Sequence, residues 1–97
     1  MKSLPENAVA YQSTKEFTQT TVPAGLLRRH NTKAGTWGRI HVLEGELLYR
    51  ILEPAVEESI LAPGHDGVVE PEVFHEVEPQ GAVRFFVEFL RLSEPED

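Results

Sequence analysis

Proline and glycine recur so closely along this chain that a long helix has nowhere to form. They fall at Pro23 and Gly25, Gly35 and Gly38, Gly45, Pro54, Pro63, Gly64 and Gly67, Pro71, Pro79 and Gly81. The stretches between them are about five to eight residues, the length of strands rather than helices. They are rich in Val, Ile, Leu, Phe and Thr, which fit a pleated, half-buried surface. The pattern predicts strands over residues 17–22, 26–30, 37–43, 46–53, 58–62, 67–70, 74–78 and 82–92. Short strands at this spacing imply an all-β fold, a β-sandwich or a small barrel. Residues 37–52 read as two β-runs joined at Glu44-Gly45-Glu46, a hairpin signal with glycine available for positive φ.

A chain of 97 residues has room for one hydrophobic core, and 40% apolar residues is ordinary globular composition. One domain over 1–97 is expected, ordered from about 9 to 92. The polar residues 1–8 and the acidic residues 93–97 are expected to be flexible. The net charge of −7 repels phosphate backbones, so nucleic acid is excluded as a partner. No run of apolar residues approaches membrane-spanning length, and the opening residues lack the apolar core of a signal peptide. A soluble, cytoplasmic protein is expected. With no cysteine, a metal would have to be held by His, Asp or Glu.

In the last strand Val83, Phe85, Val87 and Phe89 share one side, while Arg84, Phe86, Glu88 and Leu90 share the other. Glu88 therefore stands between apolar neighbours, where a carboxylate needs a partner. Arg28, Arg29 and Lys33 form a basic cluster in an acidic chain. It either draws an anion towards a cavity or protects a strand edge. His65 falls in a Pro-Gly-His-Asp-Gly turn and is expected in solvent. Trp37 and Phe74 are assigned to the core or a cavity wall. The serines have no Gly-X-Ser-X-Gly context, and neither a phosphate-binding loop nor a dinucleotide fingerprint occurs.

Residues 42–47, Val-Leu-Glu-Gly-Glu-Leu, followed by Ala62-Pro63-Gly64, Glu70-Pro71 and Phe74-His75, resemble the two halves of a cupin. The longer strings 23–39, 69–79 and 83–91 are more specific. They resemble the cupin-like family found as the N-terminal domain of some tellurite-resistance B proteins and as stand-alone small bacterial proteins. The resemblance covers residues 17–91 and implies a cupin-type jelly-roll barrel holding a divalent metal inside. In tellurite-resistance B proteins the methyltransferase chemistry belongs to a separate C-terminal domain, so methyl transfer is not carried over. The usual first cupin motif offers His-X-His and a glutamate, whereas this chain has His30, Thr32 and Arg39 there.

From that resemblance His75 matches the inward-pointing histidine of the second motif, and His30 is its companion. Glu88 is named as third ligand, giving two histidines and a carboxylate for zinc, iron or manganese; a buried ion pair with Arg39 or Arg28 is the competing role. Arg39, His41 and Arg28 are the candidate ligand-binding residues, with His41 facing away from His30 and His75. The expected function is a metal-binding cupin that binds or senses a small anionic molecule, an oxyanion in the family's stress context. The alternative is a metal-dependent oxygenase, isomerase or hydrolase. A homodimer is expected, because exposed strand edges in so small a domain gain from pairing.

Overall fold

A computed structural model of the protein describes residues 1–93. The acidic tail expected to be flexible lies, from residue 94 on, outside the described residues. Eight strands occur among those described: β1 (Ala8–Ser13), β2 (Phe17–Thr18), β3 (Trp37–Glu44), β4 (Leu47–Ile51), β5 (Glu57–Leu61), β6 (Gly67–Val69), β7 (His75–Pro79) and β8 (Arg84–Leu92). No α-helix is present among them; a single 3₁₀ turn covers Ala24–Leu27. The all-β expectation and the bounds of β3 to β8 agree with the sequence pattern to within two residues.

The strands form two antiparallel sheets. One has the order β1-β8-β3-β6, with β2 also paired to β8, and the other has the order β5-β4-β7. Period-2 alternation assigns each side chain to a face. Ile40, Val42 and Phe85 from the first sheet meet Leu47, Tyr49 and Val77 from the second in one buried core. The outer face of the second sheet is polar: Arg50 hydrogen-bonds Glu58 at 2.8 Å and Glu76 at 3.1 Å across the neighbouring strands. These acceptors, Glu58 foremost, hold the guanidinium pKa above its ordinary value.

The Glu44-Gly45-Glu46 turn is not a hairpin. β3 pairs with β6 and β8, whereas β4 pairs with β5 and β7, so the chain uses this turn to cross from one sheet to the other. Gly45 has φ of 79°, and a Cβ there would collide with the Ala82 carbonyl oxygen. The crossing demands glycine twice over, for its backbone and for its lack of a side chain.

Residues 19–36 depart from expectation. The first predicted strand ends at Thr18, because the Thr21 hydroxyl accepts from the Thr18 amide at 2.8 Å and turns the chain. After Pro23 the chain makes the 3₁₀ turn where a strand over 26–30 was expected. Its return to the sheet is a single bridge, in which the His30 and His75 amides donate to each other's carbonyls at 3.0 and 2.8 Å. β1 was not expected; it is exposed along its length and pairs only at the edge, with β8.

Candidate functional site

A cavity of about 410 Å³ opens between the sheets. Ile40 from β3, Phe85, Val87 and Phe89 from β8 and Val77 from β7 supply its apolar wall, because each points inward by strand parity. The segment 19–36 closes the wall with Leu26 and His30. Gly38 contributes by being small: its Cβ would sit 3.1 Å from Cβ of Val69. Thr14, Asn31 and Thr32 add polar atoms, and among the described residues no Asp, Glu, Lys or Arg side chain lines the cavity.

His30 and His75 are the chemistry-bearing side chains of this wall. The backbone bridge sets their rings 4.1 Å apart between centroids, with 58° between planes. Nδ1 of His30 bonds the Arg28 carbonyl at 2.8 Å, and Nδ1 of His75 bonds the Val73 carbonyl at 3.0 Å. Tyr49 packs edge-on against His75, with centroids 5.7 Å apart, and its hydroxyl donates to the Val68 carbonyl at 2.9 Å. His75 is only 4% exposed. Burial, reinforced by the neighbouring His30, lowers its pKa to about 4 against the pull of the Val73 hydrogen bond. Burial also raises the Tyr49 phenol, assisted by the charges of Glu70 and Glu57. At neutral pH His75 is an uncharged imidazole.

Glu88 is not with them. β8 turns Phe85, Val87 and Phe89 inward, so Glu88 stands on the outer face of the sheet, opposite Arg39 in register. There its carboxylate lies 3.2 Å from Nε2 of His41, and Asp66 lies 3.4 Å from Nδ1 of the same ring. His41 stacks on Phe86 at 4.6 Å, and Arg39 reaches towards Asp66 at 3.9 Å. Arg39 and His41 thus belong to this outer network. Arg28 meets the cavity only through its carbonyl bond to His30, while Arg29 lies over the Phe74 ring at 3.6 Å. Among the described residues no three His, Asp or Glu side chains are grouped closely enough to hold a metal ion. The divalent zinc, iron or manganese expected at His30, His75 and Glu88 is therefore corrected: strand parity places the carboxylate on the other side of the sheet. Sequence reasoning missed Asp66, whose place between Arg39 and His41 depends on β6 pairing with β3.

Two packed antiparallel sheets with a largely apolar cavity between them define a small all-β domain of the pocket-bearing kind. The chain belongs to the TehB-like domain family, whose model matches residues 12–87. The probable S-adenosyl-L-methionine-dependent methyltransferase TehB of Haemophilus influenzae is 36% identical over 74 residues, 72% of this chain and 26% of that protein. This chain thus spans about a quarter of the length of the curated relatives it matches. A crystal structure of H. influenzae TehB superposes with a TM-score of 0.82 at 29% identity, covering 90% of this chain and 32% of that one. A crystal structure of a protein from E. coli (strain K12) superposes with a TM-score of 0.86 at 25% identity, covering 97% of this chain and 100% of that one.

These relatives overturn the expected function. A metal-binding cupin sensing an anion, and its alternative, a metal-dependent oxygenase, isomerase or hydrolase, both give way to proteins named as methyltransferases. The cofactor in those names is S-adenosylmethionine rather than a divalent metal. No helix among the described residues is long and apolar enough to cross a membrane.

Proposed function

We propose that this chain is a small-molecule-binding β-domain that serves methyl transfer of the TehB kind by holding an uncharged methyl acceptor. The observation that carries this reading is the cavity wall, made among the described residues of large apolar side chains and two imidazoles with no Asp, Glu, Lys or Arg. A volume of about 410 Å³ is in the range in which protein pockets enclose small molecules. Such an enclosure favours an uncharged guest, because an ion stripped of water there finds no compensating charge.

S-adenosylmethionine itself does not fit. It carries a sulfonium, an ammonium, a carboxylate and a ribose diol, and a ribose diol is commonly held by an acidic side chain. Among the described residues no Asp, Glu, Lys or Arg lines this cavity. In this reading cofactor binding and transfer belong to the part of the relatives that this chain does not span. The cupin-type description of the barrel and a cytoplasmic location are part of the same proposal. So is a homodimer, which is supported by Val9 and Tyr11, 50% and 43% exposed on the edge strand β1.

The test is an amide NMR titration of the ¹⁵N-labelled chain with 2-naphthol, its methyl ether and S-adenosylmethionine. The two uncharged aromatics are expected to shift Leu26, Val77 and Phe89, and the cofactor to shift none of them. Binding of S-adenosylmethionine at those residues, or no shift with either aromatic, overturns the proposal.

A further inference from the structure

Resting on that reading of the cavity, we infer that it selects uncharged molecules that donate a hydrogen bond, with Nε2 of His30 and His75 as the acceptors. The backbone fixes the tautomers. A carbonyl oxygen only accepts, so the Nδ1 atoms facing the Arg28 and Val73 carbonyls at 2.8 and 3.0 Å must carry the hydrogens. In a neutral imidazole that leaves Nε2 with its lone pair and no proton. Burial keeps the His75 ring in that neutral form down to a pH of about 4.

The remaining polar side chains of the wall direct their hydrogens the same way. The Thr14 hydroxyl donates to the Lys15 carbonyl at 2.8 Å, and the Thr32 hydroxyl to the Thr36 carbonyl at 2.7 Å. The Asn31 amide nitrogen donates to the Glu72 carbonyl at 3.2 Å, which leaves one amide hydrogen free. The wall therefore offers a guest lone pairs far more than hydrogens. An anion, an ether or a ketone presents lone pairs in return and gains nothing from the imidazoles. A hydroxyl, thiol or N–H supplies the missing hydrogen.

This preference separates a methyl acceptor from its product. Replacing the hydrogen of the O–H, S–H or N–H group by a methyl group leaves Nε2 without a donor, while the apolar body of the molecule is unchanged. The cavity thus retains the unmethylated compound and releases the methylated one.

The experiment compares dissociation constants of 2-naphthol and 2-methoxynaphthalene for the full chain at pH 7 in EDTA. The naphthol is expected to bind about tenfold more tightly, the effect of one net hydrogen bond. His30→Leu, which leaves Nε2 of His75 as an acceptor, is expected to lower the ratio, and the double variant His30→Leu/His75→Leu to bring it close to one, with the ether's affinity retained. In long-range ¹H–¹⁵N spectra of the unsubstituted chain, Nε2 of both histidines is expected to be unprotonated and to move upfield with the naphthol but not with the ether. This measurement decides the matter even where the variant does not fold. Equal affinities for the two compounds, or an Nε2 that is protonated or unmoved by the naphthol, overturn the inference while leaving the cavity as a binding site. Failure of both compounds to bind refutes the cavity reading itself.

Discussion

Lowering the pH should destabilise this domain through His75 over a defined window. The unfolded chain protonates this imidazole near pH 6.5, whereas the folded chain resists until about pH 4. Above 6.5 the ring is neutral in both states and costs nothing. Between 6.5 and 4 the unfolded chain binds a proton that the folded chain does not, so stability falls as pH falls, by up to about 1.4 kcal/mol per pH unit. Over the whole window the loss is about 3 kcal/mol, a large part of the roughly 5–15 kcal/mol that holds a domain together. Carboxylates titrate nearby, so the assay is a difference between two proteins. Urea unfolding of the unsubstituted chain and of His75→Asn is followed at pH 7, 6, 5 and 4. Asparagine keeps an N–H near the Val73 carbonyl but does not titrate. The substitution should lower stability at pH 7, and the gap should narrow by about 3 kcal/mol by pH 4. Parallel pH profiles for the two proteins would refute the argument that burial holds this ring neutral.

Gly45→Ala should cost about 3 kcal/mol or more, since it combines positive φ with a collision against the Ala82 carbonyl. Gly35→Ala, at the same φ of 79° but in open space, should cost only about 1 kcal/mol; thermal unfolding of the pair checks both. Glu88→Gln and Asp66→Asn should leave the affinity for 2-naphthol unchanged, because both residues lie in the outer network with His41. A fivefold loss in either variant would place them in the binding site. Light scattering at micromolar concentration should give about twice 10.9 kDa, and a monomer mass would remove the homodimer.

The fold was legible where alternation and turn residues agreed. β3 to β8 are bounded by Pro and Gly and show inward apolar residues, so their positions followed from the pattern. β1 was not legible because it buries almost nothing, and an exposed edge strand leaves no hydrophobic period to read. The Gly45 turn was recognised as a turn and misjudged as a hairpin, since the sequence around it does not record which partner each strand takes. The site divided in the same way. The facing of His30 on His75 followed from a resemblance carried by Phe74-His75 and residues 23–39. Glu88 was misplaced because both faces of β8 carry apolar residues, Phe85 and Val87 on one, Phe86 and Leu90 on the other. Parity alone then does not reveal which side is the interior.

Most of the cavity wall is strand, tied by continuous ladders, but the stretch from Gln19 to Thr36 is held quite differently. It brings Leu26 and His30 to the wall and is anchored by the His30–His75 bridge, by the Glu72 amide donating to the Thr32 carbonyl at 2.9 Å, and by the Gln19 side chain at the Val83 amide. With the Asn31 amide on the Glu72 carbonyl and Leu26 packed on the core, these are isolated ties rather than a continuous ladder, so amide exchange there should outpace the sheets. Exchange of a guest held there, as proposed, would then be timed by this stretch rather than by the sheets. A substitution that strengthens the tether would lengthen residence and slow entry together, leaving equilibrium affinity almost untouched.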